Sequence, residues 1–100
     1  MRVEFSKEFE KAVRKLSGKM LESVRQVIQE VINAQSIEEL TDCKKLVDYD
    51  FIYRLRIGSY RAFFSFHVQI VDDCVQFLYL VPRGQAYDKK TEKNLQRNDQ

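Results

Sequence analysis

The sequence predicts an α+β domain in which an N-terminal strand and a helical hairpin pack on an antiparallel β-sheet meander. The first observation behind this prediction is a pair of apolar stripes at helical spacing within residues 9–32. The second is the change, from residue 51 onward, to apolar and polar residues that alternate with a period of two. Because 100 residues suit one domain, we assign residues 1–90 to the folded domain and residues 91–100 to a polar C-terminal tail.

The chain begins with a short strand and a short helix. Residues 1–5 alternate polar and apolar side chains, which predicts a strand with Val3 and Phe5 facing inward. Ser6 is a natural N-cap for the helix that follows and that ends at Ser17-Gly18. The apolar stripe of this helix consists of Phe9, Ala12, Val13 and Leu16.

A longer helix follows and is predicted to lie on the sheet. It spans roughly Met20 to Ala34, and its apolar face is wider than that of the first helix. The short connection at Gly18 makes the two helices an antiparallel pair. Ser36 and Glu39 then have the spacing of a capping box, which predicts a single helical turn.

Residues 51–71 are predicted to form a β-hairpin that carries three arginines on one face. A two-residue turn at Gly58-Ser59, with glycine first as a type II′ turn prefers, places Arg56 opposite Arg61. Arg54 lies on the same face because side chains alternate along a strand. The apolar residues of both strands take the other face, which we expect to be buried, and the arginine face is expected to be open.

The positive charge of this hairpin has two possible explanations, an anion-binding face or a merely solvated face. No acidic residue occurs between Phe51 and Val71, and like charges opposite each other destabilise a sheet by a few tenths to ~1 kcal/mol. A polyanion or a carboxylate-bearing partner would supply the missing counter-charge. The alternative is a merely solvated face, because arginine stems cover apolar surface and edge strands often carry cations.

Residues 74–81 are predicted to form the next strand. A turn at Asp72-Asp73 would place Phe66 opposite Tyr79, so that core residues of one strand meet core residues of the next. Pro82 then ends the ladder, since it cannot donate a main-chain hydrogen bond. Residues 88–100 are almost wholly polar and are predicted to be frayed.

Composition limits the classes of site. The net charge of +2 is small, so the basic surplus is local to the hairpin; Lys44 and Lys45 would extend it, unless they are only solvated. Cys43 and Cys74 lack both CxxC spacing and neighbouring histidines, so we expect no metal site. No apolar run approaches the ~20 residues of a membrane span, which makes a cytoplasmic protein the expectation.

Several of these features together resemble the RelE/ParE superfamily of bacterial and archaeal type II toxins. They are the run YRLRIGSYR at residues 53–61, the Phe-rich strand after it, an acidic turn, the apolar strand at residues 77–81, and Arg83 with Tyr87 four residues later. A short strand ending in Phe-Ser before a helix is similar too. The resemblance covers residues 1–90, and it implies the RelE-like, microbial RNase-like fold.

The resemblance also implies a function. RelE-type toxins are mRNA interferases, endoribonucleases that enter the ribosomal A site and cut mRNA by attack of the ribose 2′-hydroxyl on the adjacent phosphate. The implied partners are a cognate antitoxin, the ribosome and mRNA, with no small-molecule cofactor and no membrane. Such a toxin of a toxin–antitoxin system inhibits translation in the cytoplasm.

Site residues follow by position from the same resemblance. Arg61 and Arg83 match arginines that bind the scissile phosphate, and Tyr87 matches a tyrosine that stacks on a base or joins in proton transfer. These three are the candidate catalytic residues. The candidate RNA-binding residues are Arg54, Arg56, Lys44 and Lys45.

The general base stays unassigned. Some relatives have lysine in place of Arg54, and arginine is a poor base because its pKa exceeds ~12. Tyr87 is therefore the best candidate for acid or base, with Lys44 or Lys45 as weaker candidates. Two alternatives stay open: a ParE-like inhibitor of DNA gyrase, and a non-catalytic relative that only binds its antitoxin.

Overall fold

The structure, a computed structural model, describes residues 1–67 and 74–99. Two single turns of 3-10 helix cover Ile37–Glu39 and Arg83–Gln85. The remaining elements are β1 (Arg2–Phe5), α1 (Lys7–Arg14), α2 (Gly18–Asn33), β2 (Cys43–Lys45), β3 (Ile52–Ile57), β4 (Tyr60–His67), β5 (Cys74–Pro82) and α3 (Lys89–Asn98).

The five strands form one mixed sheet in the order β1-β5-β4-β3-β2. Strand β1 runs parallel to β5, and the other neighbours are antiparallel. Helices α1 and α2 pack on one face of this sheet, and α3 packs on the other. The predicted α+β class is confirmed; the short edge strand β2 and the parallel pairing of β1 were not predicted.

The larger core lies between the sheet and the first two helices. Phe9 of α1 and Val24 and Val31 of α2 are fully buried against the strands. Ser6 caps α1 as predicted, since its hydroxyl accepts a hydrogen bond from the Phe9 backbone N–H at 3.0 Å. Phe9 also packs against the ring of Phe77 in β5, with ring centroids 5.1 Å apart, so α1 is held directly on the sheet.

The predicted β3–β4 hairpin is confirmed in its register. Ile57 pairs with Tyr60 and Arg56 pairs with Arg61 across the turn. Gly58 has a φ of +57° and Ser59 has no positive φ, which is the pattern of a type II′ turn. Turn geometry and side-chain alternation, both local properties, were sufficient to predict this pairing.

The predicted β4–β5 register is wrong. Phe66 pairs with Val75 rather than with Tyr79, a shift of four residues; the predicted turn at Asp72-Asp73 lies outside the described residues. An even shift keeps every side chain on its face, so the apolar pattern alone did not distinguish the two registers. A β-bulge in β5 adds to the error: Phe63 pairs with Tyr79, which leaves Leu78 as an extra residue.

The bulge exchanges the faces of the second half of β5. Leu80, rather than Tyr79 and Val81, packs in the core beneath α1 and α2. Leu78 joins a second core on the opposite face, with Tyr79 and Val81 packed against its edge. Because one extra residue reverses the alternation, the period-two pattern held only up to the bulge.

The prediction of a frayed polar tail is wrong, because residues 89–98 fold as α3. Leu95 is 2% exposed and packs in the second core, which also contains Ile52, Phe63, Leu78 and Ala86. Polar contacts fix both ends of the helix: the Asp88 carboxylate accepts a hydrogen bond from the Thr91 N–H at 2.8 Å, and the Asp99 carboxylate accepts from the Phe51 N–H at 2.7 Å. The arginine face of the sheet is therefore partly covered and not fully open. No helix in the described ranges is both long enough and apolar enough to cross a membrane.

Candidate functional site

A cavity of about 490 Å³ opens beside α3 on the arginine face of the sheet. Its walls come from β2, β3, the loop between them, the segment before α3 and α3 itself. Three predicted site residues line it, namely Lys44, Arg54 and Tyr87. The other lining residues are Leu46, Val47, Asp48, Tyr49, Ala86, Glu92, Leu95 and Gln96.

Arg54 and Tyr87 are in direct contact in this cavity. The Nη1 of Arg54 donates a hydrogen bond to the phenolic oxygen of Tyr87 at 3.3 Å. The Nε of Arg54 is buried and has no hydrogen-bond partner among the described residues. Tyr87 is 63% exposed, which leaves its ring accessible from solvent.

Lys44 and Lys45 lie on opposite faces of the sheet. Lys44 pairs with Arg54 across β2 and β3, whereas Lys45 pairs with Tyr53, whose ring packs with the core beneath α1 and α2. Alternation along β2 therefore puts Lys45 away from the cavity. The prediction that both lysines extend one basic surface is wrong for Lys45, because the segment is a strand and not a connecting loop.

Arg61 is held at the turn of the hairpin. It is 9% exposed, against the expectation of an open arginine. Its Nη1 donates hydrogen bonds to the carbonyl oxygens of Gly58 at 2.9 Å and Tyr60 at 2.8 Å. These bonds immobilise the guanidinium group, and its remaining N–H groups have no hydrogen-bond partner among the described residues.

Arg56 and Arg83 bring two further cations to the same end of the sheet. Arg56 pairs with Arg61 across the strands and its side chain is exposed. The backbone N–H of Arg83 donates to the carbonyl of Ser59 at 2.8 Å, which holds the exposed Arg83 beside the hairpin turn. Six predicted site residues thus form two adjoining groups: Lys44, Arg54 and Tyr87 in the cavity, and Arg56, Arg61 and Arg83 at the hairpin turn.

The cations of this surface lack ion-pair partners in the described part of the chain. Within residues 1–67 and 74–99, none of the cations Lys44, Arg54, Arg56, Arg61 and Arg83 forms an ion pair with a carboxylate. Like charges face each other twice, Lys44 with Arg54 and Arg56 with Arg61; each such pair opposes folding by a few tenths to ~1 kcal/mol. The sequence-based inference that an anion supplies the counter-charge keeps its physical basis.

The cavity also has an acidic rim that the sequence analysis missed. Asp48 and Glu92 line it on the side of Tyr49. Burial raises the pKa of Tyr49 above its usual range, and the negative charges of Glu92, Asp99 and Asp48 raise it further. Asp48 adopts a φ of +70° in a loop, and Glu92 lies on α3. The one sequence signal for α3, and so for the position of Glu92, was the N-cap residue Asp88. The helix has no apolar stripe that would have predicted it, because Leu95 is its one buried leucine.

The part of the chain that the structure describes contains no cluster of metal-ligating side chains. No group of three or more His, Cys, Asp or Glu side chains is placed to hold a metal ion there. Cys43 is a partly buried thiol on β2, and burial raises its pKa to about 11 despite the opposing charge of Arg54. The ionisable groups that line the described cavity are cations, phenol groups and the two carboxylates of its rim.

A curated protein is similar to almost the whole chain. No family model matches the chain. The chain is 30% identical over 89 residues to Toxin RelE3 from Methanocaldococcus jannaschii, a match that covers 88% of this chain and 97% of that protein.

Solved structures give the same likeness. A chain of the RelB-RelE antitoxin-toxin complex from Methanococcus jannaschii matches with a TM-score of 0.68 and 27% identity, covering 85% of this chain and 95% of that one. A chain of the archaeal RelE-RelB complex from Pyrococcus horikoshii OT3 matches with a TM-score of 0.66 and 29% identity, covering 85% and 97%. A mutant of E. coli toxin RelE in the free state has a TM-score of 0.69 at 19% identity and covers 97% and 95%, which shows the shared fold.

Proposed function

The chain belongs to the RelE family of type II toxins, and from this premise we propose that it is an endoribonuclease that cuts mRNA in the ribosomal A site. The observation that supports the proposal is the group of five cations without a carboxylate partner among the described residues, next to an exposed tyrosine. A chain of phosphates is the ligand that such a surface fits, because arginine forks match phosphate oxygens in geometry and charge.

The proposed reaction is a transesterification within the RNA. The 2′-oxygen forms a bond to the adjacent phosphorus, the bond from phosphorus to the 5′-oxygen breaks, and the products are a 2′,3′-cyclic phosphate and a 5′-hydroxyl. The phosphorane on this path carries extra negative charge, so fixed cations stabilise it more than they stabilise the substrate.

Six of the seven predicted residues have a place in this scheme. Arg61 and Arg83 bind the scissile phosphate; Arg61 suits the role because its two bonds to backbone carbonyls orient the guanidinium before the substrate arrives. Arg54, Arg56 and Lys44 bind neighbouring phosphates. Tyr87 transfers a proton. Lys45 has no part in the proposed site.

A cognate antitoxin is the second partner in this proposal. The archaeal relatives described above were solved as RelB-RelE and RelE-RelB complexes. The exposed Arg56 and Arg83 at the hairpin turn, which have no carboxylate partner among the described residues, would attract an antitoxin segment that carries carboxylates and folds as it binds. Such a segment would compete with RNA for the same cations.

Induced expression tests the proposal. We expect growth arrest with mRNA cuts inside translated codons, detected by primer extension, and no cuts in the same message without a start codon. Arg83→Ala and Tyr87→Phe should relieve the arrest, because each removes a group of the proposed site. Both side chains are exposed and neither supports the core, so the variants should fold as the wild type does. Arg25→Ala, which removes an exposed arginine of α2, is the matched control and should arrest growth as the wild type does.

A ParE-like inhibitor of DNA gyrase is the second candidate function. The observation that favours it is that the described side chains of the site include no histidine and that arginine binds its proton too tightly to act as a base, so the proton acceptors that line the cavity are the carboxylates of Asp48 and Glu92. In that case expression would arrest growth with intact mRNA, lost supercoiling and an induced DNA-damage response. Absence of any growth defect would instead indicate a non-catalytic relative.

A further inference from the structure

Two carboxylates at the rim of the cavity are available to a ligand. Glu92 lies in the first turn of α3 and Asp48 in the loop between β2 and β3, and both side chains are exposed. Neither carboxylate forms an ion pair or a hydrogen bond within residues 1–67 and 74–99. An ionised carboxylate has acceptors and no donors, so a ligand that binds there must present donor groups.

Helix α3 places an amide group beside one of these carboxylates. Gln96 follows Glu92 by four residues, so the two side chains are neighbours on one helix face, about 5–6 Å apart at Cβ, and both line the cavity. The Gln96 side chain also has no hydrogen-bond partner among the described residues. Its NH₂ group can donate. The helix therefore presents the acceptors of Glu92 next to a donor from Gln96.

The strands give the same cavity a positive side. Lys44 of β2 and Arg54 of β3 are paired in the sheet, and both line the cavity. Positive charge thus comes from the strands, and negative charge comes from α3 and the loop. A nucleotide has the matching polarity, because its phosphate is an anion and its base carries N–H donors. A cationic peptide fits less well, since Lys44 and Arg54 would repel it.

Exposed apolar surface is concentrated at this cavity. Val47 at 76% and Tyr87 at 63% have the highest exposure of the large hydrophobic side chains that the structure describes, and both line it. Ala86 and Leu95, each 2% exposed, add buried apolar lining. The volume of about 490 Å³ lies within the range of about 300–1,000 Å³ for small-ligand sites. Such a cavity suits a nucleobase, whose faces contact apolar side chains while its edge is hydrogen-bonded.

We propose that this cavity is a recognition site for a guanine base of the RNA substrate, an inference that rests on the proposed function. The Watson–Crick edge of guanine presents two adjacent donors, N1–H and N2–H, and then the O6 acceptor. Glu92 accepts from both N–H groups, and Gln96 donates to O6. Adenine, cytosine and uracil lack two adjacent donors, so each would turn an acceptor toward the Glu92 carboxylate.

Binding of short 2′-O-methyl oligoribonucleotides tests this site without cleavage, because the methyl group blocks the attacking 2′-oxygen. Each oligonucleotide has one guanine or one inosine in an otherwise uracil sequence. Inosine keeps N1–H and O6 and lacks the 2-amino group. Fluorescence anisotropy should show that the guanine form binds about 5–150-fold more tightly, the discrimination expected of a bidentate base contact. Equal affinities for the two forms would overturn the proposal.

Three substitutions at exposed positions assign the contacts. Glu92→Gln should bind the guanine and inosine forms nearly alike, because a donor replaces one of the two carboxylate acceptors. Gln96→Met should weaken both forms by the same factor, since both bases carry O6. Glu22→Gln is the matched control, because it removes an exposed carboxylate of α2 outside the cavity, and it should keep the full preference. A Glu92→Gln protein with the wild-type preference would show that Glu92 does not read the base.

Cleavage on the ribosome separates this inference from the proposed function. Model mRNAs carry guanine or inosine at each position beside the scissile linkage, and single-turnover rates are measured. We expect faster cleavage with guanine at one position, and Glu92→Gln should abolish that difference. If the wild type cuts both mRNAs equally at every position, the guanine site falls and the proposed function stands. If it binds the guanine oligonucleotide selectively and cuts no mRNA, the proposed function falls and the guanine site stands.

Discussion

Leu95→Ala tests whether the C-terminal helix is part of the folded domain. Leu95 is 2% exposed and is the one leucine of α3 in the second core, where it packs with Ile52, Phe63 and Ala86. Removing a buried leucine side chain costs about 2–5 kcal/mol, because the transfer free energy is lost and a cavity remains. The domain as a whole has a free energy of unfolding on the order of 5–15 kcal/mol, so the loss is a large fraction of it.

The expected effect is large enough to measure in two ways. For a cooperative domain of this size, each loss of 1 kcal/mol in the free energy of unfolding lowers the melting temperature by about 4–8 °C. Leu95→Ala should therefore lower the melting temperature by at least about 8 °C. If α3 opens separately from the sheet, the loss should appear instead as faster amide exchange within residues 92–98, because a terminal helix can unfold on its own.

Calorimetry and hydrogen exchange on the same samples distinguish these outcomes. Lys93→Ala is the control, since Lys93 is exposed on the same helix and surface substitutions usually change stability by no more than about 0.5 kcal/mol. The packing of α3 on the sheet would be refuted by a Leu95→Ala protein whose melting temperature and exchange rates both match those of Lys93→Ala.

Three further predictions concern the hairpin turn and β2. Arg61→Met should reduce the free energy of unfolding by about 1.5–3 kcal/mol, the value of hydrogen bonds to a charged group, whereas exposed Arg83→Met should be within about 0.5 kcal/mol of wild type in urea titrations. Gly58→Ala should lower the free energy of unfolding by about 1–2 kcal/mol, because φ is +57° and a Cβ would lie 3.1 Å from the methyl group of Met20 in α2. Gly84→Ala is the control, because a Cβ there would lie in open space. Burial raises the pKa of Cys43 from 9.0 to about 11, so the unfolded thiol ionises first and stability should decline as pH rises between these values; Cys43→Ala should remove that decline.

Each of these has an outcome that contradicts it. Equal urea midpoints for the Arg61 and Arg83 variants would show that the bonds to the Gly58 and Tyr60 carbonyls contribute nothing to stability. Equal midpoints for the two glycine variants would show that the turn tolerates a side chain. An identical alkaline decline in wild type and Cys43→Ala would assign that decline to another group.

The sequence was sufficient wherever structure depends on neighbouring residues. The Gly58-Ser59 turn and the alternation on both sides of it predicted the β3–β4 pairing residue by residue. The spacing from Ser36 to Glu39 likewise predicted a capped turn, and the Ser36 N–H does donate to the Glu39 carboxylate at 2.9 Å. Turn preference, capping and strand alternation operate over two to four residues, so they can be recognised in a linear sequence.

The fold around the candidate site depended on contacts between distant parts of the chain. Helix α3 buries one leucine and is otherwise held by polar groups, including the Asp99 carboxylate on the Phe51 N–H. Such bonds leave no periodic pattern in the sequence, and composition alone indicated a frayed tail. The β-bulge at Leu78 had the same effect on the prediction for β5, because one unpaired residue reverses the alternation beyond it.

The order of residues was enough to place arginines at alternating positions on a hairpin and, through that run together with Arg83 and Tyr87, to identify the family. Which of these groups meet depended on the folded chain. It buried Arg61 against two carbonyl oxygens, placed Lys45 on the opposite face from Lys44, and brought Tyr87 to Arg54 from 33 residues away. The physical reason is that charge and alternation are properties of single residues and their neighbours, whereas a hydrogen bond across the sheet depends on the packing of the whole chain.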